Sequence, residues 1–437
     1  MSKLALLGGD PVRVKPFPAY NVIGADEIDA VRAVMETGVL SRFLGTWHAD
    51  FYGGPQVQAF EKEWAATCGV EHAVAVNSAT SGLYAAVGAA GVGPGDEVIV
   101  PPLSMTASAT AAVIYGGVPV FCDIDPGTFN PSPDSIRDKV TSRTRAIMVV
   151  HLLGHPADMD PIMAVAAERG LTVIEDCAQA LSAAYKGRPV GAIGHIGVFS
   201  LNYHKHIHTG EGGVCTSNDA RLADRIRLIR NHAEAVVAGK GETDLVNMVG
   251  FNYRLGEIEA AIGRSLLPKG VGLVDKRRHN VAYLEQRLGD LPGLAPARAV
   301  AGCRHSYYAH AFHCDETVHG VSRDLMVRAL RAELPPTEMR DEAGGALIGG
   351  YKPPLYLFPM YQKQIGFGGT GFPFKGPHYS GKADYAEGLC PAAEHAARTM
   401  ITHELMRPPM TKKDLNDVVA AFHKVFDNLP SLRDYAD

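Results

Sequence analysis

Residues 172–180 of the chain read TVIEDCAQA, a short β-branched apolar run that reaches Asp176 before the pattern breaks. A run of this length and composition is typical of a strand buried on both faces. Similar runs, separated by Ala-rich helical stretches, occupy residues 72–78, 97–102, 118–125, 146–154, 197–202 and 212–217. This alternation predicts an α/β domain with a largely parallel sheet. Because ligands bind beyond the carboxyl ends of such strands, the residues that follow each run are the candidate functional residues.

The overall composition is that of a globular enzyme. The 437 residues include 42 Lys and Arg against 47 Asp and Glu, a net charge of −5, and 46% are hydrophobic. A mildly acidic chain of this kind is a poor candidate for binding nucleic acid or an anionic membrane. The first apolar run stops at Gly8, and no stretch approaches the roughly 18 apolar residues of a membrane helix. The seven cysteines form no CxxC pair, so we expect a soluble, cytoplasmic enzyme with reduced thiols.

The chain divides into three predicted regions. Residues 55–270 form the large α/β domain, and residues 1–54 form an N-terminal segment that contributes to the active site or the small domain. Residues 271–437 form a small α+β domain, because the strand–helix rhythm is lost there. Helices are predicted in this last region near residues 275–290, 323–333 and 411–427.

The small domain contains a long insertion, residues 335–390, without clear periodicity. Eight aromatic residues fall between Tyr351 and Tyr379. A loop of this length is usually functional or disordered, and so many aromatic side chains argue against disorder. We predict an ordered lid or a partner-contact segment; the alternative is an insertion that only covers the small domain.

The first strand end with candidate chemistry is NSATSG (77–82), which runs directly into a helix. Small hydroxyl residues at a positive helix end leave free backbone N–H groups that can hold a phosphate. The alternative is an ordinary helix cap.

The second strand end places Asp176 after a buried strand, with Gln179 three residues later. A buried carboxylate is costly unless a cation or several donors meet it, and a protonated pyridine nitrogen would serve. The alternative is an aspartate that caps a turn.

The third strand end is FSLNYHKHIHTGEGG (199–213), with Ser200 near the end of the strand and Lys205 in the loop. A lysine among apolar residues and other cations loses its proton readily, which makes Lys205 a candidate for Schiff-base formation. The alternative is a surface lysine.

Together these three segments resemble a known arrangement for pyridoxal phosphate. The pattern Asp-x-x-Gln, then a lysine 29 residues after the aspartate, then TGEGG is similar to that of the DegT/DnrJ/EryC1/StrS family of sugar and cyclitol aminotransferases. The resemblance extends from about residue 4 to about residue 430. Further matching stretches are YGGPQVQAFEKEWA, GVGPGDEVIVPP, VPVFCDIDPGTFN, VHLLGHPADMD and GFNYRLGEIEAAIG. It implies the large and small domains of PLP fold type I, the fold of aspartate aminotransferase.

The resemblance also implies individual roles. Lys205 binds the cofactor covalently and moves the Cα proton, and Asp176 keeps the pyridine nitrogen protonated. Gln179 lies near the ring hydroxyl. The other implied cofactor-binding residues are Ala79, Thr80, Ser81 and Ser200 at the phosphate, Met105 near the ring, and Asn252, which the neighbouring subunit of a homodimer supplies. Arg254 is a weaker candidate for the site.

Two features qualify this assignment. The family commonly stacks an aromatic residue on the cofactor ring where this chain has Met105, whose polarisable sulfur can still pack against a ring. Members that act as dehydrases replace the lysine with histidine, whereas this chain retains Lys205. That favours transamination over two alternatives, a PLP-dependent sugar dehydrase and a non-catalytic PLP-binding regulator.

The implied reaction moves an amino group from L-glutamate or L-glutamine to a keto-sugar, often nucleotide-linked, or to a keto-cyclitol. The start LALLGGDPVR resembles the cyclitol branch and favours glutamine, although nucleotide-linked keto-sugars remain an equal possibility. No metal is expected, because two groups of potential ligands match no common zinc spacing. These are His204, His206 and His208, and Cys303, His305, His310, His313 and Cys314.

Overall fold

A computed structural model describes residues 2–338 and 347–435 of the chain. Its strands are β1 (His72–Val76), β2 (Glu97–Val100), β3 (Val118–Phe121), β4 (Thr144–Val150), β5 (Thr172–Asp176), β6 (Ala184–Tyr185), β7 (Arg188–Pro189), β8 (Ile196–Ser200), β9 (Gly213–Ser217), β10 (Leu294–Pro296), β11 (Cys303–Arg304), β12 (His310–Cys314), β13 (Ile348–Gly350) and β14 (Met400–His403). Its helices are α1 (Ala25–Thr37), α2 (Pro55–Cys68), α3 (Ala79–Ala89), α4 (Ala107–Ile114), α5 (Pro133–Lys139), α6 (Met159–Arg169), α7 (Ala220–Arg230), α8 (Ala233–Lys240), α9 (Glu257–Leu266), α10 (Gly270–Leu288), α11 (Glu316–His319), α12 (Arg323–Glu333), α13 (Pro359–Lys363), α14 (Pro391–Thr399), α15 (Lys412–Asp427) and α16 (Leu429–Arg433). All seven strands predicted in the large domain are present.

The largest sheet has seven strands in the order β1-β9-β8-β5-β4-β2-β3. Strands β3, β2, β4, β5 and β8 are parallel, and β9 runs opposite to both of its neighbours. This confirms the predicted largely parallel sheet. Because β5 and β8 pair directly, with Asp176 opposite Val198, their carboxyl ends lie side by side at the middle of the sheet. The Asp176 and Lys205 segments therefore leave the sheet as neighbours.

Helix α3 packs closely against the sheet next to these strand ends. A Cβ atom on Gly82 would lie 2.8 Å from Val198 Cγ1 and 3.1 Å from Cys215 Sγ. Glycine is therefore needed for the helix to approach the sheet at this distance. The contact holds the N-terminus of α3 at the same edge as the ends of β5 and β8.

A second sheet of four antiparallel strands, β10-β12-β14-β13, lies in the C-terminal part of the chain. Its hydrophobic cluster includes Phe312, Leu330 and Phe422 and is joined by Leu4 and Phe17 from the N-terminus. The long helices α10, α12 and α15 correspond to the three helices predicted there. The predicted boundaries at residues 54 and 270 stay predictions.

Most of the aromatic insertion packs on the large sheet, in the part that the structure describes; residues 339–346 lie outside it. The rings of Tyr356, Tyr361 and Tyr385 lie 5.5–5.7 Å from the ring of Phe121 at the end of edge strand β3. The Tyr385 hydroxyl donates to the Pro119 carbonyl at 2.8 Å. The described insertion is thus ordered, and whether it acts as a lid stays a prediction.

All seven cysteines are free thiols, and six of them are buried. Within residues 2–338 and 347–435, every helix is too short or too polar to cross a membrane.

Candidate active site

Lys205 lies in the loop between β8 and β9, with its Nζ 4.5 Å from the centre of the Tyr308 ring. Burial lowers the pKa of Lys205 to about 8, and the positive charge of Arg407 acts in the same direction, whereas Asp176 opposes it. Removing a lysine from water disfavours its charged form. Lys205 therefore provides an unprotonated amine far more readily than an exposed lysine at neutral pH.

Asp176 ends β5 and is only 5% exposed. Its Oδ2 accepts a hydrogen bond from Ser108 Oγ at 2.7 Å, and its Oδ1 accepts one from the Ala178 N–H at 3.1 Å. Ser104 Oγ in turn lies 2.7 Å from Ser108 Oγ. Both direct donors are neutral, so the carboxylate keeps its affinity for a positively charged donor in the cleft.

The N-terminus of α3 combines a cap with unused donors. Ser78 caps the helix by accepting from the Ser81 N–H at 3.0 Å, and Ser81 Oγ donates to Asn77 Oδ1 at 2.7 Å. The backbone N–H groups of Ala79 and Thr80 make no hydrogen bond to any described residue. Both of the alternatives considered for this segment therefore occur together: a cap and a positive helix end with free donors.

Ser200 lies next to this helix end. It pairs across the sheet with Gly213, and a Cβ atom on Gly213 would lie 2.7 Å from the Ala79 nitrogen. Gly213 therefore lets the strand and the helix end approach each other, so that the hydroxyl of Ser200 and the α3 donors border one small space.

Gln179 accepts hydrogen bonds from two distant segments of the chain, at Leu153 and at Ser306. Its Oε1 accepts a hydrogen bond from the Leu153 N–H at 2.5 Å, and its carbonyl accepts one from Ser306 Oγ at 3.3 Å. Tyr351 lies near the Gln179 side chain; burial raises the pKa of Tyr351, and the charge of Asp176 raises it further. The first aromatic residue of the insertion thus reaches the Asp176 end of the site.

A match to the model of the DegT/DnrJ/EryC1/StrS aminotransferase family covers residues 22–368. The chain belongs to this family. The L-glutamine:2-deoxy-scyllo-inosose aminotransferase of Streptomyces fradiae is 34% identical over 440 residues, 97% of this chain and 98% of that protein. The GDP-perosamine synthase of Caulobacter vibrioides is 38% identical over 312 residues, 71% of this chain and 80% of that protein. The structure of the aminotransferase from Psychrobacter cryohalolentis is 30% identical in sequence and superposes with a TM-score of 0.80. The superposition covers 95% of this chain and 100% of that one.

This aminotransferase of amino-sugar and aminocyclitol biosynthesis uses pyridoxal phosphate. The side chains of the site fit that cofactor. The unused N–H groups of α3 and the Ser200 hydroxyl suit a phosphate, and the buried Asp176 carboxylate suits a protonated ring nitrogen. The Lys205 amine lies in the same cleft. A phosphate, a cationic ring and an aldehyde are the three groups that the cofactor carries.

Met105, Asn252 and Thr80 are the exposed residues of the predicted set. Met105 follows β2 and is 64% exposed. Asn252 is also exposed, and its backbone carbonyl accepts a hydrogen bond from Asn77 Nδ2 at 3.2 Å. Arg254 instead donates to Asn231 Oδ1 at 2.9 Å. Asn252 is thus exposed near the α3 end of the site.

The two histidine groups noted in the sequence form internal contacts. His206 Nε2 bonds the Ser306 carbonyl, and His310 lies between His403 and Glu285. In the part of the chain that the structure describes, potential metal ligands cluster at His151, Glu175 and Cys177. Glu175 accepts from His151 and from the N–H groups of Gly191, Ile193 and Gly194, so protein donors already occupy it.

Sequence reasoning missed three residues of the site. Ser108 donates to Asp176, Tyr308 packs against Lys205, and Tyr351 lies near Gln179. Ser108 lies in the segment PPLSMTASAT that follows β2, and this place after a strand of the sheet was a usable signal for the first. Tyr308 and Tyr351 lie in segments without a comparable pattern.

Proposed function

We propose that this aminotransferase moves an amino group from L-glutamine to the ketone of a carbocyclic, polyhydroxylated ring. The match to the Streptomyces fradiae aminotransferase supports this substrate pair, because it covers 97% of this chain and 98% of that one. It therefore includes the region after residue 368, where the family match ends.

The residues proposed to hold the cofactor are those with hydrogen-bonding groups at the strand ends and at the start of α3. Pyridoxal phosphate, when bound, supplies an aldehyde that joins to an amine and a ring that takes up an electron pair. Thr80, Ser81 and Ala79 at the start of α3, with Ser200, bind its phosphate. Asp176 binds its ring nitrogen, and Gln179 lies beside the ring hydroxyl. Met105 packs against the ring and completes the set predicted from the sequence.

Lys205 has two tasks in this proposal. Its amine would hold the cofactor covalently between turnovers and would be free once an amino donor is bound. The free amine would accept the proton from the donor's Cα in the first half-reaction and would deliver a proton to the acceptor carbon in the second. A pKa of about 8 suits an amine that must accept and release a proton near neutral pH.

A nucleotide-linked keto-sugar is the second candidate acceptor. The relative with the higher identity, the GDP-perosamine synthase at 38%, favours it, although that match covers only 71% of this chain. The two acceptors differ in charge, since the nucleotide-linked sugar carries a diphosphate and the carbocyclic ketone carries none.

The absorption spectrum of the holoenzyme tests the donor and the acceptor in turn. L-Glutamine is expected to abolish the visible band of the Lys205-bound cofactor within one turnover, and a carbocyclic ketone such as 2-deoxy-scyllo-inosose is expected to restore it. Restoration only by a nucleotide-linked keto-sugar would select the second candidate. A band that neither L-glutamine nor L-glutamate alters would refute the donor assignment.

We also propose a cytoplasmic homodimer in which Asn252 of each chain binds the phosphate in the other chain's site. The exposed Asn252 side chain beside Asn77 supports this arrangement.

Co-expression of Lys205→Ala and Asn252→Ala chains tests the shared site. Each mixed dimer then has one site with both lesions and one intact site, because the interface is symmetric. With random pairing we expect about one quarter of wild-type activity. The matched control co-expresses Lys205→Ala chains with chains that carry both substitutions. Every site then lacks Lys205, so no activity is expected to return. No recovery in the first mixture, when the Asn252→Ala homodimer is itself impaired, would show that each site is built from one chain.

A further inference from the structure

The Asp176 carboxylate accepts hydrogen bonds from two sides. Its Oδ1 accepts from the Ala178 N–H at 3.1 Å, within the turn that follows β5. Its Oδ2 accepts from Ser108 Oγ at 2.7 Å, across 68 residues of chain. A carboxylate offers about four acceptor positions, so some stay open once these two donors are bound. The two bonds therefore fix the plane of the carboxylate and leave it able to accept from one more donor.

The Ser108 hydroxyl can donate in one direction only. Its Oγ lies 2.7 Å from Asp176 Oδ2 and 2.7 Å from Ser104 Oγ. A hydroxyl carries one proton and a carboxylate oxygen only accepts, so Ser108 donates to Asp176 and accepts from Ser104. Ser108 is 0% exposed and Ser104 is 8% exposed, so water has little access to either hydroxyl. The hydrogen bonds thus run in a fixed order, from Ser104 through Ser108 to Asp176.

The start of α4 strengthens this hold on the carboxylate. Ser108 is the second residue of α4, so Asp176 lies against the first turn of that helix. The positive end of the helix dipole favours a negative charge at this place. Hydrogen bonds in a chain also polarise one another, so the Ser104 hydroxyl strengthens the bond from Ser108 to the carboxylate.

The two serines flank Met105, the residue that we propose packs against the cofactor ring. The Ser108 N–H donates to the Met105 carbonyl at 3.2 Å. Met105 itself is 64% exposed, whereas both serines are buried. One short segment, residues 104–108, therefore ties the proposed partner of the ring face to the proposed partner of the ring nitrogen.

We propose that Ser108 is a positioning residue that orients the Asp176 carboxylate toward the ring nitrogen of the cofactor, and that Ser104 sets the direction of the Ser108 hydroxyl. This inference rests on the proposed function, in which Asp176 binds that nitrogen. Ser108 acts through Asp176, because its only proton is already directed there. Without this bond the carboxylate is free to turn about its side-chain torsions, and its contact with the ring nitrogen is made for a smaller part of the time.

The test compares pyridoxal phosphate with 1-deazapyridoxal phosphate, in which a C–H group replaces the ring nitrogen, in equilibrium binding to the cofactor-free full-length protein. The wild type is expected to prefer pyridoxal phosphate, because only this compound presents a ring N–H to Asp176. Loss of a hydrogen bond to a charged group in Ser108→Ala is expected to reduce that preference about 10-fold. Binding of the deaza compound is expected to stay unchanged.

The loaded enzyme gives a second readout. Ser108→Ala is expected to lower kcat about 10-fold and to leave the KM of the amino donor unchanged, since the lost contact acts on the cofactor. Ser108→Thr keeps the hydroxyl and is expected to recover part of the binding preference and of kcat. Ser104→Ala leaves Ser108 in place and is expected to give a smaller loss of the same kind.

Ser217→Ala is the matched control. Ser217 is also a buried serine, 4% exposed, and its Oγ donates to the His195 carbonyl at 2.7 Å. It ends β9 at the edge of the sheet opposite to Asp176, since β9 runs antiparallel to β8. This variant is expected to keep the preference for pyridoxal phosphate, whatever its effect on Tm. Circular dichroism of each variant checks that it is folded.

Two results in folded Ser108→Ala would overturn the assignment: an unchanged preference, or an equal loss of affinity for both compounds, which a merely structural role predicts. A Ser104→Ala protein that behaves as the wild type would refute the role of Ser104. If the wild type prefers pyridoxal phosphate and Ser108→Ala does so equally, only this inference fails. If the wild type binds both compounds equally, the proposed contact between Asp176 and the ring nitrogen is itself wrong.

Discussion

Replacing Lys205 with alanine is expected to lower kcat by at least about 10³-fold, because one side chain supplies both the nucleophile and the acid–base group. Steady-state turnover with saturating donor and acceptor measures the loss. The variant is expected to keep the cofactor without a covalent bond, since the proposed phosphate and ring-nitrogen contacts do not involve the lysine. Absorbance of the free aldehyde form, retained through gel filtration, checks that retention.

The matched control is Lys186→Ala. Lys186 is an exposed lysine whose Nζ lies 2.8 Å from Asp160 Oδ2, and its removal is expected to leave kcat unchanged. Substantial turnover in Lys205→Ala would refute the assigned role. If the Lys205→Ala protein lost structure, its Tm would fall. We expect instead that its Tm stays the same or rises.

The expectation for Tm follows from the pKa of Lys205. The folded protein lowers the pKa of Lys205 to about 8 from its ordinary value of 10.5, so the unfolded chain binds the proton more tightly. The charged lysine therefore destabilises the fold fully below pH 8, and the effect vanishes above pH 10.5. At pH 7 the cofactor-free Lys205→Ala protein is expected to melt at the same temperature as the wild type or higher.

Replacing Asp176 with asparagine is expected to lower kcat by about 10²- to 10³-fold, the usual cost of removing one electrostatic contact to the reacting group. Asparagine has the same shape, and its carbonyl can still accept from Ser108, so the change removes mainly the charge. Without the carboxylate the ring nitrogen is no longer held protonated, and the cofactor accepts electrons less well. Turnover and the pH dependence of the cofactor's absorption measure the two effects.

Asp160→Asn serves as the control for this change. Asp160 is a half-exposed aspartate whose ion pairs are with Lys186 and Arg188. Asp176→Glu, which keeps the charge but shifts it by one carbon, is expected to retain more activity than Asp176→Asn. Equal activity in Asp176→Asn and wild type would mean that the carboxylate does not act on the cofactor.

Much of the fold and part of the site could be predicted from local sequence. Each strand of the large sheet is a short apolar run with turn residues beside it, and a strand of that kind forms wherever the sheet is covered on both faces. Asp176, Ser200 and Lys205 were predicted as site residues because they end or follow such runs. Parallel strands bring their carboxyl ends to one edge, so residues separated along the chain meet there.

The contacts that complete the site could not be predicted in this way. Ser108 lies 68 residues from Asp176, and Arg407 lies 203 residues from His204, whose carbonyl it contacts. The aromatic content of residues 351–379 argued against disorder, but it did not predict that Tyr351 would lie near Gln179 while Tyr356 and Tyr361 packed on Phe121. No periodicity in the chain links such distant segments.

The sequence by itself determined the strands, the helices between them, and the reactive groups at the strand ends, since periodicity and capping act over a few residues. Only the tertiary structure decided the surroundings of Lys205: its burial, the Tyr308 ring beside it, and Arg407 near the same ring. Those surroundings depend on how the C-terminal part of the chain packs on the large sheet. Because desolvation and charge act through space, the lowered pKa of Lys205 is a property of that packing.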